Sequence, residues 1–102
     1  MVRFENAPYL IVRSFLPYIA LATIEKLGEA SAYAIIKHVQ EELGTLISAG
    51  SMYTALYGLE RQGYIVGRTK YKITRKGLVL LQNVKGNMKE FLPKIQAFLE
   101  GI

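Results

Sequence analysis

The sequence predicts a mainly α-helical fold with one small β-hairpin, and three observations lead to this prediction. Five stretches carry apolar residues three and four positions apart, which is the spacing of one helix face. A single β-branched and aromatic segment, residues 64–74, separates the last two of these stretches. With 102 residues, the chain has room for one small domain.

The first apolar segment is predicted to form two short helices, from about Pro8 to Phe15 and from about Pro17 to Leu27. Proline is well tolerated in the first turn of a helix and disruptive further along, which divides the segment in two. Its length also suggests a membrane span or a signal peptide, but Arg13 interrupts the apolar run. We therefore expect two core helices, no membrane partner and a cytoplasmic protein.

Serine and glycine mark the ends of the next two predicted helices. Ser31 is placed to cap a helix that Gly44 ends. Ser48 is placed to cap a second helix that runs to about Gln62, where Gly63 follows as a stop signal. The apolar face of this second helix carries Met52, Ala55, Leu56 and Leu59. The residues left on its other faces are Ser51, Tyr53, Thr54, Tyr57 and Arg61.

The rest of the chain is predicted to form a hairpin and a long helix. The segment YIVGRTKYKIT reads as two short strands joined by a tight turn near residues 68–70. Thr74 is then placed to cap a final helix, with Gly86 and Pro93 as its weak points. Its apolar stripe contains Leu78, Leu81, Val84, Met88, Phe91, Leu92, Ile95, Phe98 and Leu99.

Residues suited to catalysis are scarce. His38 is the only histidine, cysteine and aspartate are absent, and the adjacent Glu41 and Glu42 point in diverging directions on a helix. A protein metal site needs three or four ligands. We therefore expect neither an enzyme nor a metal site, and no cofactor.

The charge pattern predicts a polyanionic partner. Thirteen Lys and Arg stand against eight acidic residues, for a net charge of +5. No acidic residue interrupts the sequence between Arg61 and Lys89, although it contains eight basic residues. A solvated protein surface usually mixes basic with acidic residues. A basic run without acidic residues therefore favours a polyanion as the partner.

The order of these elements indicates a winged helix-turn-helix. In that fold the second helix of a pair enters the major groove of DNA, and a basic hairpin, the wing, contacts the backbone. We expect residues 1–15 to form an N-terminal helical extension, residues 16–74 the winged helix-turn-helix, and residues 75–102 a C-terminal dimerisation helix.

Three segments also resemble the PadR-like transcriptional regulators: SAYAIIKHVQEELG, SAGSMYTALYGLERQGYI and KYKITRKG. The resemblance covers about residues 16 to 80 in unbroken order. Ala49 and Thr54 stand where the family usually has proline, Ala32 where it has glycine, and the wing is shorter. The resemblance implies a transcriptional regulator that dimerises through its C-terminal helix. Family members typically have a phenolic or drug-like effector, and the sequence leaves open whether this one does.

Taken together, these observations predict a sequence-specific regulator of transcription, acting as a dimeric repressor on an inverted repeat in double-stranded DNA. The alternative left open is a winged-helix module that binds a protein and not a nucleic acid. The predicted DNA-binding residues are Lys37, Ser48, Gly50, Ser51, Tyr53, Thr54, Tyr57, Arg61, Arg68, Lys70, Lys72 and Arg75. The predicted homodimer interface consists of Leu10, Ile11, Phe15, Leu81, Val84, Met88, Phe91, Leu92, Ile95, Phe98 and Leu99.

Overall fold

The computed structural model describes residues 6–101 and confirms the predicted fold class. The elements follow in the order α1 (Ala7–Ser14), α2 (Leu16–Leu27), α3 (Ala32–Leu43), α4 (Ala49–Arg61), β1 (Ile65–Gly67), β2 (Tyr71–Ile73) and α5 (Arg75–Leu99). Residues 1–5 of the predicted N-terminal extension and residue 102 of the predicted C-terminal helix lie outside the described residues.

The predicted helix caps are present at three helices. The Ser31 hydroxyl accepts a hydrogen bond from the Ala34 backbone N–H, at 3.1 Å, at the start of α3. Ser48 accepts from the Ser51 N–H, also at 3.1 Å, at the start of α4. Thr74 accepts from the N–H of the third residue of α5, again at 3.1 Å. Each cap pairs one of the backbone donors that a helix leaves free at its N-terminus.

The two N-terminal helices begin with proline in the first turn, as predicted, and α1 meets α2 at 69°. Gly28 follows α2 with a φ of 84°. Across residues 6–101, no single helix is long and apolar enough to cross a membrane, although α1 and α2 together pass the same test of length and composition.

The core lies where α2, α3, α4 and the hairpin meet. The hairpin is antiparallel, with Ile65 opposite Ile73 and Gly67 opposite Tyr71. Ala30, which precedes α3, extends this small sheet through two backbone hydrogen bonds with Tyr71, at 3.0 and 2.8 Å. The largest fully buried side chains are Leu21, Ile24, Ile35, Val39, Ile47, Met52, Leu56 and Ile65.

The wing is stubby because its turn has only three residues, 68–70, as predicted. Gly67 enters this turn with a φ of 137°, and a Cβ atom there would overlap the backbone carbonyl of Lys70. Only glycine adopts that conformation readily without such an overlap. The short wing therefore depends on Gly67.

The first turns of α5 belong to the core, which corrects one predicted dimer contact. Leu81 is only 2% exposed within the single chain, where it joins the core cluster. The apolar stripe of α5 is thus divided: its beginning packs on α2 and on the hairpin, and most of its later residues are exposed. Leu81 is therefore not available to a second subunit. The helix itself continues through Gly86 and Pro93.

Candidate nucleic-acid interface

Helix α4 buries one face and leaves the opposite face open to solvent. Met52 and Leu56 are at most 1% exposed, whereas Tyr53 and Tyr57 are 58% and 60% exposed. Thr54 and Arg61 are exposed as well. The apolar face thus holds α4 on the core, and the phenols, the threonine and the arginine are free to meet a partner.

The hydroxyl groups at the start of α4 bond largely to one another and to the helix backbone. Ser48 donates to the Ser51 hydroxyl at 3.0 Å while it accepts from the Ser51 N–H. Thr54 donates its hydroxyl proton to the Gly50 carbonyl at 2.9 Å. Ser51 keeps its own hydroxyl proton for a further partner, and Thr54 does not.

At the other end of α4, Arg61 lies over an aromatic ring. Its guanidinium carbon is 5.5 Å from the centroid of the Tyr57 ring. Both side chains are exposed, so the attraction is worth only about 0.5–1 kcal/mol. It nevertheless holds together two residues that were both predicted to contact DNA.

The lysines of the wing face an acidic residue that the sequence pattern does not place near them. Glu29, in the segment between α2 and α3, lies 3.9 Å from the Lys70 ammonium and 4.0 Å from that of Lys72. Because both lysine side chains are 67% exposed, such ion pairs are worth at most about 1 kcal/mol and are weakened by salt. The lysines remain available to a phosphate, although Glu29 lowers the local positive charge.

Three further predicted DNA-binding residues are exposed, and one basic residue beside them is engaged within the chain. Lys37 on α3, Arg68 in the turn of the wing and Arg75 at the start of α5 are exposed. Lys76, by contrast, donates to the Gln62 carbonyl at 2.5 Å, and its ammonium lies 4.7 Å from the centroid of the Tyr64 ring. Lys76 therefore stabilises the junction between α4 and α5.

A groove of about 490 Å³ runs beside the start of α4 and contains a basic residue that sequence reasoning missed. Arg13, Leu16 and Pro17 line one side of this groove. The α4 side is lined by Gly50, Ser51, Thr54 and Ala55. No local pattern could identify Arg13, because only the bend between α1 and α2 brings it to α4.

A second groove, of about 230 Å³, lies between the N-terminal helices and α5. It brings Phe15 together with predicted interface residues of the same chain, since it is lined by Phe15, Tyr18, Val84, Asn87, Met88, Phe91, Leu92 and Ile95. Further along α5, Phe98 and Leu99 are 82% and 79% exposed, and on α1 Ile11 is 58% exposed whereas Leu10 is half-buried. Among residues 6–101, the part of this apolar face from Phe91 to Leu99 is exposed in the single chain.

Tyr71, on strand β2 of the hairpin, has a buried side chain. Burial raises the pKa of Tyr71 above its usual value of 10.0, and the nearby Glu60 and Tyr53 raise it further. Tyr71 thus stays protonated near neutral pH.

Among residues 6–101, no group of three or more His, Cys, Asp or Glu is arranged to hold a metal ion.

Comparison of the sequence with known protein families finds one that matches. The sequence profile of the transcriptional regulator PadR-like family matches residues 20–83, which is more than half of the chain. No curated protein sequence matches.

Solved structures share the fold. A PadR family transcriptional regulator from Eggerthella lenta is 24% identical, with a TM-score of 0.81 over 97% of this chain and 95% of its own. A PadR family transcription regulator from Clostridium difficile is 25% identical, with a TM-score of 0.74 over 83% and 98%. PadR of Bacillus subtilis is 31% identical, with a TM-score of 0.61 over 70% of this chain and 41% of its own.

Proposed function

Because this chain belongs to the PadR-like family of transcriptional regulators, we propose that it regulates transcription by binding double-stranded DNA as a homodimer. The observation that carries the proposal is the orientation of α4. Its apolar face is buried, while Tyr53 and Tyr57 are more than half exposed. A helix held in this way by a helix-turn-helix fits the major groove, where its first residues meet the base edges.

Two sets of residues have separate roles in this proposal. The start of α4, from Ser48 to Tyr57, selects the bases. The exposed cations supply most of the affinity, because they release counterions from the phosphates regardless of sequence. These are Lys37, Arg61, Arg68, Lys70, Lys72 and Arg75.

Dimerisation follows from the uncovered apolar face of α5. Two copies related by a twofold axis would cover Phe91, Ile95 and their neighbours and present two α4 helices to successive major grooves, about 34 Å apart. Such a dimer recognises an inverted repeat and, bound over a promoter, represses by blocking access. We keep residues 1–15, 16–74 and 75–102 as extension, DNA-binding unit and dimerisation helix, with the start of α5 also packing on the DNA-binding unit. We place this activity in the cytoplasm.

Selection of bound fragments from random double-stranded DNA at moderate salt tests the proposal. The expected result is an inverted repeat whose half-sites are about one helical turn apart. Tyr57→Ala should change the recovered sequence, with differences of about 1–3 kcal/mol at a subset of positions. Lys89→Ala, at an exposed site on α5, is the control and should recover the same repeat. Failure to enrich any sequence would contradict the proposal.

The alternative is a winged-helix module that binds a protein. The observation in its favour is the position of Glu29 beside Lys70 and Lys72, which partly neutralises the wing. Under this alternative, binding to DNA would be weak and would show no sequence preference at any salt concentration. The same selection therefore distinguishes the two functions.

A further inference from the structure

The side chain of Thr54 presents its methyl group, and not its hydroxyl proton, to the surroundings of α4. Oγ1 is turned back along the helix and donates to the Gly50 carbonyl at 2.9 Å. Threonine carries only two heavy groups on Cβ, so the methyl group forms the outer part of this exposed residue. Threonine in helices commonly makes this bond to the carbonyl four residues earlier.

The groove beside Thr54 has apolar residues on both of its sides. Ala55, Pro17 and Leu16 line it together with Thr54. Arg13, the charged lining residue, lies across the groove from Thr54, on the same side as Leu16 and Pro17. An apolar group on a base edge would find matching surface here, whereas a base acceptor would find no hydroxyl proton on Thr54.

We propose that Thr54 reads thymine through contact between its methyl group and the C5-methyl group of the base. Thymine is the only standard base that carries a methyl group in the major groove, and threonine methyl groups are among its recognised apolar partners. The proposal rests on the proposed function, because it requires the start of α4 to enter the major groove. The inference goes further than the proposed function because it names the base that Thr54 selects and the two methyl groups that make the contact.

The competing role for Thr54 is hydrogen bonding. Its proton is committed to Gly50, so Oγ1 can only accept, and the donors at major-groove base edges are the amino groups of adenine and cytosine. Hydroxyl reading therefore predicts adenine or cytosine, and methyl reading predicts thymine. The two roles therefore predict different bases, and they predict opposite behaviour for variants that keep only the methyl group or only the hydroxyl.

The test uses the full chain, the selected operator and two variants, each of which keeps one of the two groups on the Thr54 Cβ. Thr54→Val keeps a methyl group in place and removes the hydroxyl, whereas Thr54→Ser keeps the hydroxyl and removes the methyl group. The helix propensities of the three residues are similar and the site is exposed, so both variants should fold. Each thymine of the operator is replaced in turn by uracil, which removes only the C5-methyl group.

For the wild type we expect one thymine in each half-site at which uracil weakens binding about fourfold, the equivalent of about 0.8 kcal/mol for one buried methyl group. Thr54→Val should show the same penalty at the same position. Thr54→Ser should bind the thymine and uracil operators alike at that position and keep any penalties elsewhere.

Three results would overturn the inference while leaving the proposed function intact. These are an operator at which no uracil substitution matters, a penalty that persists in Thr54→Ser at every position, and a penalty that is lost in Thr54→Val but kept in Thr54→Ser. If selection instead recovers no preferred sequence, the proposed function itself fails and this inference fails with it.

Discussion

Gly77, in the first turn of α5, packs so closely on Tyr64 that a Cβ atom at Gly77 would overlap the Tyr64 carbonyl oxygen. The same oxygen accepts a hydrogen bond from the Thr74 N–H at 3.0 Å. The Thr74 hydroxyl in turn donates to the Gly63 carbonyl at 2.6 Å. The end of α4, the base of the wing and the start of α5 are therefore fixed to one another. Through this junction, the position of the apolar face on α5 is tied to that of α4.

Replacing Gly77 with alanine should destabilise the protein, although alanine is the better helix former. The added methyl group would also approach the Ile73 side chain at 2.7 Å, so the backbone must shift. We expect a loss of about 1–3 kcal/mol in the free energy of unfolding, measured with urea. Gly86→Ala is the matched control, since nothing lies within 4 Å of a Cβ atom there. That substitution should stabilise α5 by about 0.5–1 kcal/mol, and equal effects at the two sites would contradict the close packing.

The elements of this fold could be predicted from the sequence because their signals are local. Ser31, Ser48 and Thr74 each precede an apolar helical pattern, and each caps the helix that follows. The sequence likewise predicts the short turn of the wing, near residues 68–70. Local chemistry of this kind does not depend on the rest of the fold.

What the sequence could not show depends on contacts between distant segments. The stripe on α5 looks uniform, and only the packing of its first turns on α2 shows that Leu81 is internal. The basic run lacks acidic neighbours in sequence, yet Glu29 reaches two of its lysines in space. Arg13 lies beside α4 because the chain bends between α1 and α2. The roles of all the predicted DNA-binding residues stay predictions.

Removing the lysines of the wing should weaken binding to every DNA sequence. Lys70→Ala and Lys72→Ala should each lower the slope of log affinity against log salt by about one unit, if each lysine neutralises one phosphate. Affinity is measured by fluorescence anisotropy on operator and random DNA over a range of salt concentrations. Lys89→Ala serves as the control for loss of one exposed positive charge.

The effect of Glu29 should have the opposite sign. Glu29→Gln removes the carboxylate that lies 3.9 and 4.0 Å from the two lysines and keeps the shape of the side chain. Binding to operator and random DNA should both tighten, most clearly at low salt, because an anion near the phosphates repels them. An unchanged salt slope for the lysine variants, together with unchanged affinity for Glu29→Gln, would place the wing away from the DNA.

Ionisation of Tyr71 should limit stability at alkaline pH. Its pKa is raised in the folded protein, chiefly by burial, above the value of about 10 expected in the unfolded chain. Below pH 10 the phenol is neutral in both states, and its contribution to stability is fully present. As the pH rises through the folded pKa, this contribution is lost, because the unfolded chain releases the proton more readily.

Tyr71→Phe should therefore reduce the fall in the free energy of unfolding between pH 8 and pH 11, measured with urea at each pH. Tyr33→Phe is the control, because that phenol is 74% exposed and its removal should leave the pH profile unchanged. A profile that is equally steep in Tyr71→Phe and in the wild type would assign the alkaline loss to other groups.

The uncovered part of α5 should hold two subunits together. Phe91 and Ile95 are 50% and 53% exposed in the single chain, although they line an apolar groove with Phe15. We expect Phe91→Asp with Ile95→Asp to convert a dimer into a monomer, because two charges in that interface would cost several kcal/mol. Sedimentation at micromolar concentration measures the change. As a control, Gln82→Asp with Gly86→Asp adds the same charges at exposed positions nine residues before Phe91 and Ile95, on the opposite side of α5, and should leave the dimer intact.

Because Phe91 and Ile95 are exposed in the single chain, replacing them should dissociate the dimer without unfolding the subunits. Since neither belongs to the core cluster, the aspartate variant should keep its helical circular dichroism as a monomer. It should then bind a single half-site about as well as one subunit of the wild type does, and lose the extra affinity that a second half-site gives the dimer. If the wild type were a monomer at micromolar concentration and still bound the full repeat tightly, α5 would have no part in recognition. A variant that loses its helical signal would instead show that this face of α5 stabilises the single chain.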